Sequence, residues 1–433
     1  MSVAFTAASA VEGSLVMAWR RIKLSSNTAI SSFSFMLRLA GQIGYFLIIA
    51  RALGPRDYGA VATVFAVLTI IGCFSGWGCE HILVKNVAIA RDRFGDYFGN
   101  ALILVVATGP VLALIAYGVS LFAAPMALLP FVAFAVAELF FARLNALGVA
   151  GFMALENGPG LLVLNAGFSA IRLATCVVAI VMSSRLDVEG WALWYLGGTA
   201  LSGLLSYAYT VKRLGGPRWY IARTEWGMGF HFCLFYTADA ALRDLDKPLV
   251  AYFAGPAAAG LYTAAYRIVD AAAMPMRAMI ASIYARFFVH GNKGIDNSIG
   301  FAFKVLPILL GYCLFLGIFL AAGSQLLPMI LGDKFAASAP LIGRLAILPF
   351  FGALTSIGGN ILTSTGRQRT RALVVLVLSF SPVVLCSILV PRFGLDGAAA
   401  ASVLNAVLFA TATWAMVNFS RNAEHRRMAH AKA

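Results

Sequence analysis

Charged side chains are scarce in this sequence. They make up 12% of the 433 residues, whereas a typical soluble domain carries about 25%. Hydrophobic residues reach 61%, and the mean hydropathy is +0.85. This composition excludes a soluble globular protein, so we expect an integral membrane protein.

Sequence motifs for catalysis or metal binding are also missing. No G-x-x-x-x-G-K-[ST] stretch occurs, so we expect no ATPase within the chain. The six cysteines form no C-x-x-C pair, and the five histidines show no metal-ligand spacing. Asp244-Leu245-Asp246 matches the D-x-D of nucleotide-sugar enzymes, but the pattern is very short. We therefore expect neither an enzyme nor a metal site.

Long apolar runs occupy most of the chain. A helix needs about 20 mostly apolar residues to cross a bilayer, and the runs predict about 12 such helices. The predicted spans are 28–50, 60–79, 98–122, 126–147, 161–182 and 190–211, then 228–250, 258–284, 301–323, 339–363, 371–391 and 397–419. We expect an all-α membrane fold with two six-helix lobes around a central cavity.

The placement of Lys and Arg predicts the orientation of the helices. With the N-terminus inside, the termini and even-numbered loops hold about 20 basic residues, against about 7 in the odd-numbered loops. Both termini are therefore expected in the cytoplasm. The net charge of +15 then reflects contact with anionic membrane lipids, not a nucleic-acid surface.

The spans and loops together predict five segments. Residues 1–27 form a cytoplasmic N-terminal segment, and 420–433 form a basic cytoplasmic tail. Residues 28–211 form the N-lobe and 228–419 the C-lobe. The basic, aromatic stretch 212–227 is expected to link them along the cytoplasmic interface.

Two short turns echo each other across the chain. Gly54-Pro55 and Gly59 in the first half correspond to Gly255-Pro256 and Gly260 in the second. The turns lie about 200 residues apart, close to half the chain, and such internal repeats are typical of secondary transporters. The echo predicts two structurally related halves.

Six basic residues remain inside the predicted spans once the loops are assigned. A charge within a bilayer is costly unless it faces a wet interior. Arg38 shares one helical face with Gln42 and Tyr45, which gives the first helix a polar stripe. The six residues are Arg38, Arg172, Arg267, Arg277, Lys304 and Arg344, of which the last two lie near helix ends and are expected to snorkel.

An excess of arginine over carboxylate predicts an anionic cargo. A guanidinium binds phosphate through two parallel hydrogen bonds. Arg38, Arg172, Arg267 and Arg277, with Gln42 and Tyr45, are the candidate substrate-binding residues. The alternative is that Arg267 and Asp270, three residues apart, form a closed ion pair that only joins helices.

Carboxylates within the spans are candidates for ion coupling. Asp239 and Asp270 are the preferred residues for binding a proton or a sodium ion, and no other cofactor is expected. The alternative is charge balance between neighbours. It would pair the acidic residues Glu138, Asp239, Asp244, Asp246 and Asp270 with the basic residues Arg143, Arg243, Lys247 and Arg267.

Several stretches resemble the polysaccharide transporter family of the MOP flippase superfamily. The stretch A-x-x-L-G-P-x-D-Y-G at 50–59 and LDKPLVAYFAGPAAAGLYTAAYRI at 245–268 are similar to signatures of its two halves. LGDKF at 331–335 resembles a turn of that family, and ILTSTGRQRTRA followed by LVPRFGLDGAAAASVLNA resembles its C-terminal pattern. The chain departs from longer family members in ending at about the twelfth predicted helix.

The resemblance implies an O-antigen or exopolysaccharide repeat-unit flippase of the bacterial inner membrane. Its cargo would be an undecaprenyl-diphosphate-linked oligosaccharide, and a polymerase and a chain-length regulator would be potential partners. The fold would be two six-helix lobes forming a V around a central cavity. The anionic diphosphate agrees with the arginine surplus deduced from the residues alone.

Three other functions fit the composition less well. A multidrug or metabolite cation antiporter of the same superfamily would favour an acidic cavity. A membrane polysaccharide polymerase or ligase would need a sizeable outer loop, and the sequence predicts none. A membrane scaffold without transport activity would tolerate loss of the buried charges.

Overall fold

The computed structural model describes the backbone of residues 2–183 and 186–432, and the side chains of this part apart from 2–26, 28, 327 and 427–432. All regular elements in that part are helices. The first half contains α1 (Ser2–Gly72), α2 (Cys79–Ile89), α3 (Phe94–Ala123), α4 (Leu128–Val136), α5 (Ala142–Ala154), α6 (Gly158–Met182) and α7 (Val188–Leu214). The second half contains α8 (Trp226–Asp244), α9 (Asp246–Ala254), α10 (Pro256–Ala272), α11 (Met274–Gly291), α12 (Ile295–Gly323), α13 (Leu327–Leu331), α14 (Ala339–Leu345), α15 (Leu348–Ser364), α16 (Gln368–Leu378) and α17 (Ser381–Lys432). The predicted all-α membrane fold is confirmed.

Glycines divide the two longest helices. At 1.5 Å per residue, the 71 residues of α1 would extend about 107 Å, several times the bilayer core of about 30 Å. The helix is broken at Gly54, whose φ of 76° suits a residue without a Cβ atom. Gly394, with a φ of 57°, breaks α17 in the same way. Each of these long helices is therefore two helical segments joined by a sharp turn.

The number of membrane crossings stays a prediction. Within the described residues, six helices are long and apolar enough to cross a bilayer, or up to eight if each of two bent pairs counts as one span. The breaks at Gly54 and Gly394 divide two of the six further. One boundary is wrong: the second predicted span was to reach residue 79, but α1 ends at Gly72 and a series of turns follows.

The two echoed turns meet face to face in the structure. Gly54 and Gly255 have nearly the same backbone angles, with φ of 76° and 87° and ψ of 173° and 163°. A Cβ atom on Gly59 would lie 1.8 Å from the carbonyl oxygen of Pro256, and one on Gly260 would lie 1.9 Å from that of Pro55. The contact is reciprocal, as in a local twofold relation between the halves. These glycines allow α1 and α10 to touch backbone to backbone.

The segment between the lobes is fixed to α3. The backbone amide of Arg218 donates to the carbonyl of Gly95 at 2.8 Å, and the amide of Ala222 donates to the Asn100 side chain at 2.9 Å. Trp219 remains 78% exposed. An exposed tryptophan beside basic residues fits the predicted interfacial linker 212–227. The exact lobe boundaries remain predictions.

Candidate functional site: a cationic cavity between the lobes

A cavity of about 230 Å³ lies between the two halves. We call it the interlobe cavity. Residues of α1, α6 and α7 form one wall, and residues of α10 and α11 form the other. Its polar lining comprises Gln42, Tyr45, Tyr58, Thr69, Glu138, Arg172, Tyr195, Arg267, Asp270 and Arg277. Six residues predicted from the sequence are thus brought together: Gln42, Tyr45, Arg172, Arg267, Asp270 and Arg277.

Arg172 is held by a carboxylate and by aromatic rings. Its Nη2 lies 3.4 Å from Oε1 of Glu138, which also accepts a hydrogen bond from the Tyr195 hydroxyl. The guanidinium carbon lies 4.5 Å from the centre of the Tyr195 ring and 5.4 Å from that of Tyr45. Glu138 sits in a π-helical turn, Ala137–Phe141, and such turns are frequent at functional sites.

Charge balance between neighbours is confirmed for Asp239 with Arg243 and for Asp244 and Asp246 with Lys247, but Glu138 and Asp270 have other partners. Glu138 is bonded to Arg172, and Arg143 instead forms a 3.0 Å ion pair with Glu80. Asp270 is bonded to Arg277, not to Arg267.

The second correction has a geometric cause. Helices α10 and α11 are bent by 44° relative to one another, with Ala273 between them. The long Arg277 side chain reaches back across this bend to Asp270, so spacing along one straight helix did not identify the pair.

Arg267 remains without a partner in the part of the chain that the structure describes. It makes no hydrogen bond or salt bridge there, although it is partly buried and lines the interlobe cavity. The Tyr45 hydroxyl is likewise buried without a hydrogen-bond partner. The cavity lining contains three arginines and two carboxylates, so arginine is in excess in its wall. A guanidinium in this position offers five unused donors to an anion.

Arg38 lies beside the interlobe cavity, not in its wall. Its Nη1 donates to Oδ1 of Asn165 at 3.2 Å. Its guanidinium carbon lies 5.5 Å from the centre of the Phe168 ring, which also contacts Arg172 at 5.2 Å. Arg38, on α1, therefore contacts the same Phe168 ring that packs against Arg172 on α6.

A second cavity, of about 370 Å³, lies within the second half of the chain. We call it the C-lobe cavity. Asp239 lines it and forms a 2.9 Å ion pair with Arg243. Asp270 and Arg277 line both cavities, which therefore adjoin each other at this ion pair. The two candidate coupling residues, Asp239 and Asp270, are thus each paired with an arginine. Among the residues described, no group of three or more His, Cys, Asp or Glu side chains is arranged to hold a metal ion.

Lys247, predicted only as a charge-balance partner, lies at the centre of a buried cluster that includes two tyrosines. Lys247 is 1% exposed, and its Nζ contacts Asp246 at 3.0 Å, Asp244 at 3.2 Å and the carbonyl of Arg243 at 2.6 Å. The ammonium also lies 4.0 Å from the centre of the Tyr266 ring, and Asp246 accepts a hydrogen bond from Tyr262. We call these five side chains the Lys247 cluster: Asp244, Asp246, Lys247, Tyr262 and Tyr266. The signal was present as D-L-D-K beside an apolar run.

The chain matches a sequence model described as "Polysaccharide biosynthesis protein" over residues 24–288, which is more than half of its length. The chain belongs to the polysaccharide biosynthesis protein family. The predicted resemblance is confirmed at that level. No curated protein matches the chain.

Several solved structures with a similar fold are membrane transporters or flippases. An inward-facing multidrug resistance MATE family transporter of the MOP superfamily has a TM-score of 0.72 at 13% identity, covering 92% of this chain and 99% of its own. The lipid II flippase MurJ, in an inward closed conformation, has a TM-score of 0.68 at 11% identity, covering 90% and 87%. An outward-facing MATE structure gives 0.63 at 15% identity, covering 92% and 96%. At these identities the likeness shows the fold.

Proposed function

We propose that this membrane protein is a flippase that moves an undecaprenyl-diphosphate-linked oligosaccharide across the bacterial inner membrane. The observation that carries the proposal is Arg267, an arginine in the interlobe cavity whose guanidinium makes no hydrogen bond or salt bridge to the described residues. Arg172 and Arg277 would complete a cationic surface for the diphosphate, and Arg38 would steady the aromatic support of Arg172. Gln42 and the unpartnered Tyr45 hydroxyl would bond the adjoining oxygens.

The contact between the echoed turns supports alternating access. In the predicted orientation, with both termini cytoplasmic, Gly59 and Gly260 lie towards the periplasmic side. Their backbone contact would close that side while the cargo enters from the cytoplasm. Outward opening would then separate α1 from α10. Asp239 or Asp270 would couple this change to a proton or sodium gradient.

A substitution at the turn contact tests the conformational part of the proposal. Gly260→Ala adds a Cβ atom where only 1.9 Å is available to the Pro55 carbonyl, so the inward-open state should be disfavoured. We expect at least a tenfold loss of polysaccharide export at unchanged protein abundance. Gly311→Ala, where no atom lies within 4 Å, is the matched control. Normal export by Gly260→Ala would contradict a gating role for this contact.

The decisive experiment follows the lipid-linked intermediate in a deletion strain fed radiolabelled sugar precursor. We expect the intermediate to accumulate in the cytoplasmic leaflet and to clear on re-expression of the wild type. Arg267→Gln should fail to clear it, because a neutral amide does not compensate the diphosphate charge. Arg267→Lys, which keeps the charge, should clear it partly.

Other outcomes would overturn the proposal. Unpolymerised intermediate on the periplasmic side would assign the protein to polymerisation or ligation. An unchanged distribution would favour the multidrug antiporter. Full clearance by Arg267→Gln would remove the binding role of Arg267.

A further inference from the structure

Most of the C-lobe cavity lies outside the proposed diphosphate site, which shares Arg277 with it. The C-lobe cavity is bounded by α8, α9, α10, α11, α15 and α17 and adjoins the interlobe cavity, with which it shares Asp270 and Arg277 as lining residues. Its volume of about 370 Å³ lies within the range of about 300–1,000 Å³ that is usual for small-molecule sites. A ligand anchored at Arg267 therefore has a second chamber beside it.

Two neighbouring hydroxyls on α15 are left free towards this chamber. Thr355 and Ser356 line the C-lobe cavity, and neither hydroxyl has a hydrogen-bond partner within the described chain. On the same helix, the Thr363 hydroxyl donates to the Gly359 carbonyl at 2.8 Å and that of Ser364 donates to Ile361 at 3.1 Å. These two hydroxyls bond backbone carbonyls of their own helix, whereas the hydroxyls of Thr355 and Ser356 do not.

An amide on α17 adds further unused donors. The side-chain oxygen of Asn405 accepts a hydrogen bond from Ser381. Its amide nitrogen has no partner among the described residues, although Asn405 lines the cavity. An amide group fixed through its oxygen presents its two N–H donors in a defined direction.

The charges around the C-lobe cavity are largely compensated. Asp239 is paired with Arg243, and Asp270 is paired with Arg277. Asp246 is occupied by Lys247 and Tyr262. Apolar rings supply the remaining surface, with Phe351 and Phe409 in the wall. Locally paired charges, free hydroxyl and amide groups, and aromatic rings suit a neutral ligand with many hydroxyls better than an ion.

We propose that the C-lobe cavity is a glycan subsite, which takes the sugar residue attached to the diphosphate. This inference rests on the proposed flippase function, since a diphosphate bound at Arg267 would place the attached sugar beside Asp270 and Arg277, which line both cavities. The hydroxyls of Thr355 and Ser356 and the amide of Asn405 bond the sugar hydroxyls. The C-lobe thereby distinguishes glycosylated from unglycosylated carrier lipid.

The test measures binding to the purified full-length protein in lipid nanodiscs. The probes are undecaprenyl diphosphate and its four monosaccharide conjugates with glucose, galactose, N-acetylglucosamine and N-acetylgalactosamine. We expect at least one conjugate to bind about tenfold more tightly than undecaprenyl diphosphate, as two or three added hydrogen bonds would allow. The double variant Thr355→Val/Ser356→Ala should lose that advantage, while its affinity for undecaprenyl diphosphate stays within about twofold.

A control variant tests whether the loss of the sugar advantage is specific to the cavity hydroxyls. Thr411→Val/Ser282→Ala removes two exposed hydroxyls that bond only their own helices and lie outside the cavity lining. It should keep the sugar advantage. The subsite is overturned if no conjugate binds more tightly than undecaprenyl diphosphate, or if the advantage survives in Thr355→Val/Ser356→Ala. Undecaprenyl diphosphate binding that is lost in Arg267→Gln would still support the flippase in that case, whereas binding of no probe at all would overturn both proposals.

Discussion

The interlobe cavity and the Lys247 cluster are built from the same chemical groups but differ in how completely those groups are bonded. Arg172, Glu138 and Tyr195 form a cation, carboxylate and tyrosine set in one half, and Lys247, Asp246 and Tyr262 form such a set in the other. Arg172 remains 23% exposed to the cavity, whereas Lys247 is 1% exposed.

This difference in bonding distinguishes a charged side chain that stabilises the fold from one that can bind a ligand. Every donor direction of the Lys247 ammonium meets a carboxylate, a carbonyl or a ring, so the cluster has nothing left for a ligand. Arg267 lies in the same half of the chain, but its donors bond no other residue in the described ranges. A charge in an apolar helix is therefore a weak guide to function until its bonding is known.

The largest loss of stability is expected from removing the lysine of the Lys247 cluster. Lys247→Met should cost about 3–5 kcal/mol in free energy of unfolding, because Asp244 and Asp246 would be left without their buried cation. Thermal unfolding in detergent measures the loss. Arg243→Met is the control, since its ion pair with Asp239 is largely exposed and worth less than about 1 kcal/mol. Equal melting temperatures of the two variants would refute a structural role for Lys247.

Replacing the cavity arginines should change stability in opposite directions. Arg267→Met removes a partly buried charge that forms no salt bridge with the described residues, so we expect a gain of about 1–2 kcal/mol in free energy of unfolding together with loss of diphosphate binding. Arg172→Met leaves Glu138 without its cation and should cost about 1–3 kcal/mol. Thermal unfolding without substrate gives both values. A loss of stability in Arg267→Met would show that this residue has a structural partner.

Sequence reasoning found the arginines but not their bonding. Polar stripes on apolar helices identified Gln42, Tyr45, Arg172, Arg267 and Arg277, and the glycine echo located the turn at which the halves meet. Both signals depend on local motifs or on helical periodicity, so they can be recognised in a single sequence.

The missed features depend on contacts between helices or across bends. Asp270 bonds Arg277 across the bend between α10 and α11. Glu138 reaches Arg172 from a π-helical turn, which shifts its direction relative to a regular helix. The Lys247 cluster also requires Tyr262 and Tyr266 from α10 to pack on α9. Helical spacing alone does not specify such contacts.

Removing one tyrosine hydroxyl from each set compares the two sets through a single hydrogen bond. Tyr262→Phe removes a hydrogen bond to the buried Asp246, and we expect a cost of about 1.5–3 kcal/mol. Tyr195→Phe removes the equivalent bond to Glu138, which faces the cavity where water can replace it, so the cost should be about 0.5–1 kcal/mol. Thermal unfolding of the two variants side by side measures the difference. A larger loss of stability from Tyr195→Phe would contradict the view that the Lys247 cluster is the more completely buried and bonded of the two sets.

The smallest effect on stability is expected at the carboxylates proposed for ion coupling. Asp239 forms an exposed ion pair with Arg243 one helical turn away, and such pairs contribute about 0.3–0.5 kcal/mol. Asp239→Asn should therefore fold normally. Asp270→Asn should also fold, because the Arg277 side chain that it leaves behind is 53% exposed and stays hydrated. Transport by at least one of the two variants should no longer respond when the proton or sodium gradient is collapsed in proteoliposomes. Asp246→Asn is the matched control in the closed cluster: it should lower protein abundance and leave the gradient response of the remaining protein intact. If both cavity variants responded to each gradient as the wild type does, the coupling role would have to lie elsewhere, and the ion pairs of Asp239 and Asp270 would be structural like that of Lys247.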